Sequence, residues 1–124
     1  MRRRSSTLTG QELEIMKVVW ALGSATVRQV YEELLKSRAV AYTTVMTMMK
    51  ILEEKKYLKK SAAERAYIYK PTQPKGKVIG SMVREFVNRV FDGSAAPLLL
   101  HLVEEQKLSA KDLAEIEALR KKGN

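Results

Sequence analysis

Apolar side chains recur along this chain at two spacings, and the change from one to the other marks its elements. Leu13, Met16 and Trp20 fall on one helical face, at the three- and four-residue steps of a 3.6-residue turn. Thr9 and Glu12 mark the start of that helix: the threonine hydroxyl can accept from the Glu12 amide while the carboxylate reaches back. Leu8 and Leu13 flank this cap as a hydrophobic staple, and Gly23 in "ALGS" suits the terminating turn. A second helix is predicted from about Thr26 to Lys36, burying Val27, Val30, Tyr31, Leu34 and Leu35, and a third from about Tyr42 to Lys55.

The period then shortens. "YLKKSAAERAYIYKP" is rich in tyrosine, broken by "SAAER" and closed by Pro71 and Pro74, which predicts two short strands and a turn lacking Gly or Asn-Gly. Three short helices and a hairpin outline a winged helix-turn-helix over residues 1–74. The helical period returns in residues 75–124. Ile79, Met82, Val83, Phe86, Val87 and Val90 form a stripe from Lys75 to Phe91. "FDGSAAP" stops that helix at Gly93 and starts another, with Ser94 as its expected cap and Pro97 in its first turn. Leu98, Leu99, Leu102 and Val103 make its apolar side. A last helix repeats the opening signature, with Ser109 and Asp112 as capping pair, Leu108 and Leu113 as staple, and Ile116 one turn on. Such short helices have too little mass to bury their stripes alone, so a homodimer is expected to form through this tail. The fold class is mostly α with a small β-hairpin: a winged helix-turn-helix domain followed by a helical dimerisation domain.

The third helix carries the chemistry. On a wheel of ~100° per residue, Val45, Met48, Met49 and Leu52 gather within about a quarter turn and face the core. Thr43, Thr47 and Lys50 lie opposite, with Thr44 and Met46 on the flanks. A helix that only covers a core more usually shows Glu, Lys or Gln there, because threonine is a mediocre helix former. For reading DNA the choice makes sense. A threonine hydroxyl can bond a base edge or a phosphate, its methyl can touch a thymine methyl, and lysine can reach guanine acceptors.

Charge agrees with that face. The net charge is +9; residues 1–74 carry 14 Lys/Arg against 7 Asp/Glu, and residues 75–124 carry 9 against 7. Positive charge concentrated in one half is what a polyanion-binding module looks like. Arg65, at the expected tip of the wing, suits a phosphate or minor-groove contact, and the arginines of "MRRRSS" are candidates for further phosphate contacts. No cysteine is present, which excludes disulfides and thiolate metal sites and fits a reducing, cytoplasmic setting. No apolar run reaches the ~20 residues of a membrane span, and no secretory signal is read at the start. Direct membrane binding is not expected. His101, with Glu104 and Glu105 one turn on, has metal-ligand spacing, but a lone helical histidine among leucines is more often structural, so no metal and no cofactor are expected. No nucleophile–base pair and no phosphate-cradling glycine loop point to an enzyme. Two alternatives stand beside the DNA-binding reading: a winged-helix repressor induced by a small ligand, and a winged-helix adaptor that binds protein.

"LTGQELEIMKVVW", "TVRQVYEEL", "AYTTVMTMMKILEEKKYL" and "AYIYKP" resemble the BlaI/MecI family of penicillinase repressors, from about Leu8 to Arg120. The resemblance implies a repressor that binds an inverted-repeat operator on double-stranded DNA as a homodimer, with the third helix in the major groove. It also implies a membrane sensor-protease pathway that ends in a cut at an Asn-Phe bond in the tail. The corresponding bond here is His101–Leu102, within "PLLLHLVEEQKLS". The cysteine-rich tail of the family's copper-responsive branch is missing, which excludes copper sensing by that route.

Overall fold

The structure, a computed structural model, describes residues 7–105 and 107–123. In chain order they form α1 (Gly10–Leu22), α2 (Val27–Leu35), α3 (Tyr42–Glu54), β1 (Leu58–Ala62), β2 (Tyr67–Pro71), α4 (Lys75–Phe91), α5 (Ala96–Glu104) and α6 (Ala110–Gly123). Two compact units result, one ending at Ile79 and the other beginning at Gly80. The first is a winged helix-turn-helix and the second is helical, as the sequence predicts. Among the described residues no helix is long and apolar enough to cross a membrane.

Local chemistry accounts for the element ends. The α1 capping box is complete, with Thr9 Oγ1 accepting from the Glu12 amide at 3.1 Å and Glu12 Oε1 from the Thr9 amide at 2.9 Å. Thr26 and Gln29 repeat the device on α2. Helix α3 closes in a Schellman turn: the Tyr57 amide donates to Leu52 O and the Lys56 amide to Glu53 O, both at 2.9 Å. Lys56 itself sits at φ 70, where a side chain costs ~1 kcal/mol relative to glycine.

The strands pair antiparallel from Leu58 opposite Pro71 to Ala62 opposite Tyr67, and the glycine-free turn is closed by the Ala63 amide donating to Ala66 O at 2.8 Å. At the middle of β2 Ala25 and Tyr69 exchange backbone bonds of 2.9 and 2.8 Å, which ties the wing to the α1–α2 turn. Lys60 pairs with Glu53 at 3.6 Å and covers the Tyr67 ring at 4.4 Å from its centroid.

The core of the first unit draws on every element. Ile15, Met16 and Val19 come from α1, Val30 and Leu34 from α2, Val45, Met49 and Leu52 from α3, Leu58 from β1, Tyr69 from β2, and Val78 from the first turn of α4. Three expectations change in detail. Ile15 and Val19 lie deeper than Leu13 and Trp20, which are only half-buried; the Trp20 indole N–H donates to Gln73 O at 3.0 Å instead of entering the core. Leu35 is exposed, because α2 ends there and Leu34 takes the inward position. Met48 is half-buried at the edge of α3's inner face.

Ile79, at the end of the first unit, is half-buried; in the second unit Val87 is buried, Met82, Leu98 and Leu102 are half-buried, and Val83, Phe86, Val90, Leu99 and Val103 are exposed. Leu113, Ile116 and Leu119 of α6 are exposed as well. Ser94 does not cap α5. Asp92 at φ 53 and Gly93 at φ 90 turn the chain so that the Ser94 amide bonds back to Phe91 O, and the cap position falls on Ala95, which has no side-chain bond to give. The Ser109–Asp112 pair does cap α6, with bonds of 3.1 and 2.9 Å.

Candidate nucleic-acid interface

Helix α3 is two-sided. Val45, Met49 and Leu52 are 0% exposed, and burial of each is worth ~2 kcal/mol; together they fix the rotation of the helix about its axis. Thr43, Thr47 and Lys50 then form an exposed ridge, with Thr44 and Met46 exposed on its two flanks. The ridge therefore consists of hydroxyls, methyls and one ammonium, the groups that base edges in a major groove can pair with.

Both ends of this helix are anchored. At its C-terminal end Lys55 is nearly withdrawn from solvent, and its ammonium donates to Glu12 Oε1 at 2.8 Å and to Thr7 O at 3.1 Å. Burial pushes the Glu12 carboxyl up, but hydrogen bonds from Lys55 and from Thr9 outweigh it, and the pKa falls below the usual 4.5. Lys55 thus fastens α3 to the cap of α1, a use of Glu12 beyond the capping box. At its N-terminal end the cap residue Ala41 makes no side-chain bond. Packing substitutes for it: the Tyr42 ring meets Tyr31 edge-on at 5.3 Å between centroids, and the Arg28 guanidinium lies 5.8 Å from the Tyr42 centroid. Arg38 bridges α2's end to Glu14 of α1, its closest nitrogen at 2.7 Å, and holds that carboxyl below its usual range.

A hollow lies on each side of the ridge. One, of about 430 Å³, is lined by Gln11, Thr43, Thr44, Thr47, Met48 and Ile51. The other, of about 460 Å³, runs under the wing between Thr26, Arg28, Tyr42, Met46, Arg65 and Tyr67. Arg65 is exposed at the hairpin tip and borders this second hollow together with Met46. Gln11, Arg28, Tyr42 and Tyr67 are brought to the face by tertiary packing and escape a helix-by-helix reading. The only local signal is an arginine on the polar side of "TVRQV". The arginines of "MRRRSS" lie outside the described residues. His101 and Leu102 fall inside α5, and the His101 ring rests 6.1 Å from that of Phe91.

The family model for penicillinase repressors matches residues 8–122. The transcriptional regulator BlaI of Mycobacterium tuberculosis is 34% identical over 114 residues, which cover 86% of this chain and 83% of that protein. The penicillinase repressor of Bacillus licheniformis is 28% identical over 109 residues, or 88% of this chain and 85% of that one. Among solved structures, the Bacillus licheniformis BlaI monomeric form in complex with the blaP half-operator is similar at 29% identity and a TM-score of 0.50, over 61% of this chain and 92% of that chain.

Proposed function

The chain belongs to the penicillinase repressor family, and from that premise we propose that it is a DNA-binding transcriptional repressor. It acts as a homodimer on an inverted-repeat operator, and α3 of each protomer reads a major groove. The observation that carries this reading is the exposed ridge of α3, polar and contiguous while Val45, Met49 and Leu52 on the opposite face are fully buried. A protein-docking face would be built around aromatic anchors instead. In this reading Thr43, Thr47 and Lys50 discriminate bases, Thr44 and Met46 line the groove beside them, and Arg65 grips a phosphate from the wing. Footprinting on DNA upstream of the protein's own gene identifies the operator. On that duplex Thr47→Ala costs on the order of 1–3 kcal/mol and relaxes preference at one or two base pairs. An operator preference unchanged when all three ridge residues are replaced rejects the assignment.

Dimerisation is assigned to the tail, through Val83, Phe86 and Val90 of α4, Leu99 and Val103 of α5, and Leu113 and Ile116 of α6, together with the half-buried Ile79, Met82, Leu98 and Leu102. Release by proteolysis belongs to the same proposal, with the cut at His101–Leu102. That bond lies within α5, so a protease that takes extended chain must first unwind a helix whose start has no side-chain cap. Mass spectrometry of the repressor from cells exposed to a β-lactam tests it. Cleavage gives two fragments meeting at Leu102, whereas an intact repressor with its target genes switched on eliminates this route.

A further inference from the structure

The hollows on the two sides of the α3 ridge differ in what lines them. The one beside α1 is neutral, with Gln11, Thr44 and Met48 in its wall. The one beneath the wing holds two arginines, Arg28 and Arg65, together with Tyr42 and Tyr67. A helix lying in a major groove has a sugar-phosphate strand on either side of it. A hollow along each flank of the ridge is therefore where such a strand must pass.

We propose that the wing-side hollow seats one sugar-phosphate strand of the operator half-site, with Arg28 as a phosphate ligand held in place by Tyr42. This rests on the repressor reading and extends it to residues that the ridge and the wing tip do not include.

Three features of the hollow fit a strand. First, two guanidinium groups border it from opposite elements, Arg28 from α2 and Arg65 from the hairpin tip, and a guanidinium fork matches phosphate oxygens. Second, Arg28 is pre-oriented. Its guanidinium carbon stands 5.8 Å from the Tyr42 ring centroid, and Tyr42 is itself braced by Tyr31. The ion pair with Glu32 is long, 3.5 Å, between side chains 68% and 59% exposed, so a phosphate can compete for the same donors. Third, Val27, Met46 and Ala66 give the wall an apolar portion suited to deoxyribose carbons.

A merely structural Arg28, covering the Tyr42 ring, predicts something different from a phosphate ligand. The test uses the full chain on the footprinted operator duplex and on a random duplex of equal length, with affinity followed against salt. Arg28→Ala is expected to weaken both duplexes alike, by about fivefold at ~0.15 M salt, and to lower the salt slope by roughly one. Arg28→Lys restores the slope. Methylphosphonates placed one at a time along the half-site cost the wild type affinity at one or two phosphates of a single strand, and those positions fall silent in Arg28→Ala. Circular dichroism melts confirm that the variants fold. Unchanged affinity and slope in Arg28→Ala, with Thr47→Ala still relaxing operator preference, overturns the strand seat and leaves the repressor reading intact. A loss confined to the operator duplex assigns Arg28 to base reading and overturns it too. Failure of the wild type to prefer any operator duplex removes the repressor reading itself.

Discussion

The winged-helix unit and the tail use apolar residues in opposite ways. In the first, three helices and a strand turn Ile15, Met16, Val19, Val30, Val45, Met49, Leu52 and Leu58 into one closed interior. In the second, Val87 is buried while Phe86, Val90, Leu99, Leu100, Ile116 and Leu119 stay at the surface. Helical periodicity is equally clear in both, so periodicity alone does not say whether a stripe has a counterpart within its own unit. The first unit completes its core by itself. The tail has the stripes of a core without the mass to close one, and a second copy of the same stripes is the simplest supply of that mass.

The largest effect is expected from separating the two. A chain truncated after Ile79 keeps Val78, which is buried, and should fold as a monomer. It should lose a factor of roughly 10²–10⁴ in operator affinity, because the two half-sites no longer bind as one linked unit. Sedimentation and gel-shift titration read both quantities, and a truncated chain that still sediments as a dimer breaks the contrast between the units.

The next effect stays inside the first unit. Lys55→Ala leaves Glu12 buried without its cation, which costs about 3–5 kcal/mol in a denaturant melt, while sedimentation of the protein should stay unchanged. Because Glu12 is more acidic in the folded state than its usual 4.5, its contribution is fully present above that pH. It is lost as the pH falls through the lower folded value. The acid limb of the stability profile should accordingly be flatter in Lys55→Ala than in the wild type. An equal limb in both proteins removes the pair from the account of α3's anchoring.

The smallest effect sharpens the comparison without disturbing either fold. Arg65→Ala at the exposed hairpin tip should weaken binding to all duplexes about equally and lower the salt slope by roughly one. Sedimentation of the protein should not change. A dimer that weakens on this substitution would show that the wing takes part in assembly.

Much of this was legible from residue spacing. The capping boxes at Thr9 and Ser109 and the inner and outer faces of α3 depend on residues within a few positions of one another, where sequence separation and spatial separation coincide. What stayed hidden depends on contacts across many positions. Lys55 reads as the last cation of a polar helix end, and only the fold carries it to Glu12, 43 residues away. Arg28, Tyr42 and Tyr67 come from three elements, and no helical wheel places them around one hollow. Ser94 failed as a cap for a subtler reason. Its residue type is right, but the left-handed pair Asp92 and Gly93 sets the start of α5 one residue later.

The two backbone bonds between Ala25 and Tyr69 grip β2 at its middle residue, opposite Lys60 and short of the Ala63–Ala66 turn. Mechanically, the outer half of the hairpin is a cantilever clamped at that mid-strand rung and loaded at its free end. A force on Arg65 bends the strands along their length and does not swing them about the α1–α2 turn. The stiffness of the arm is thus set by the few rungs between Tyr69 and the turn, and lengthening the hairpin by a single pair of residues would soften the tip far more than any change of side chain along it.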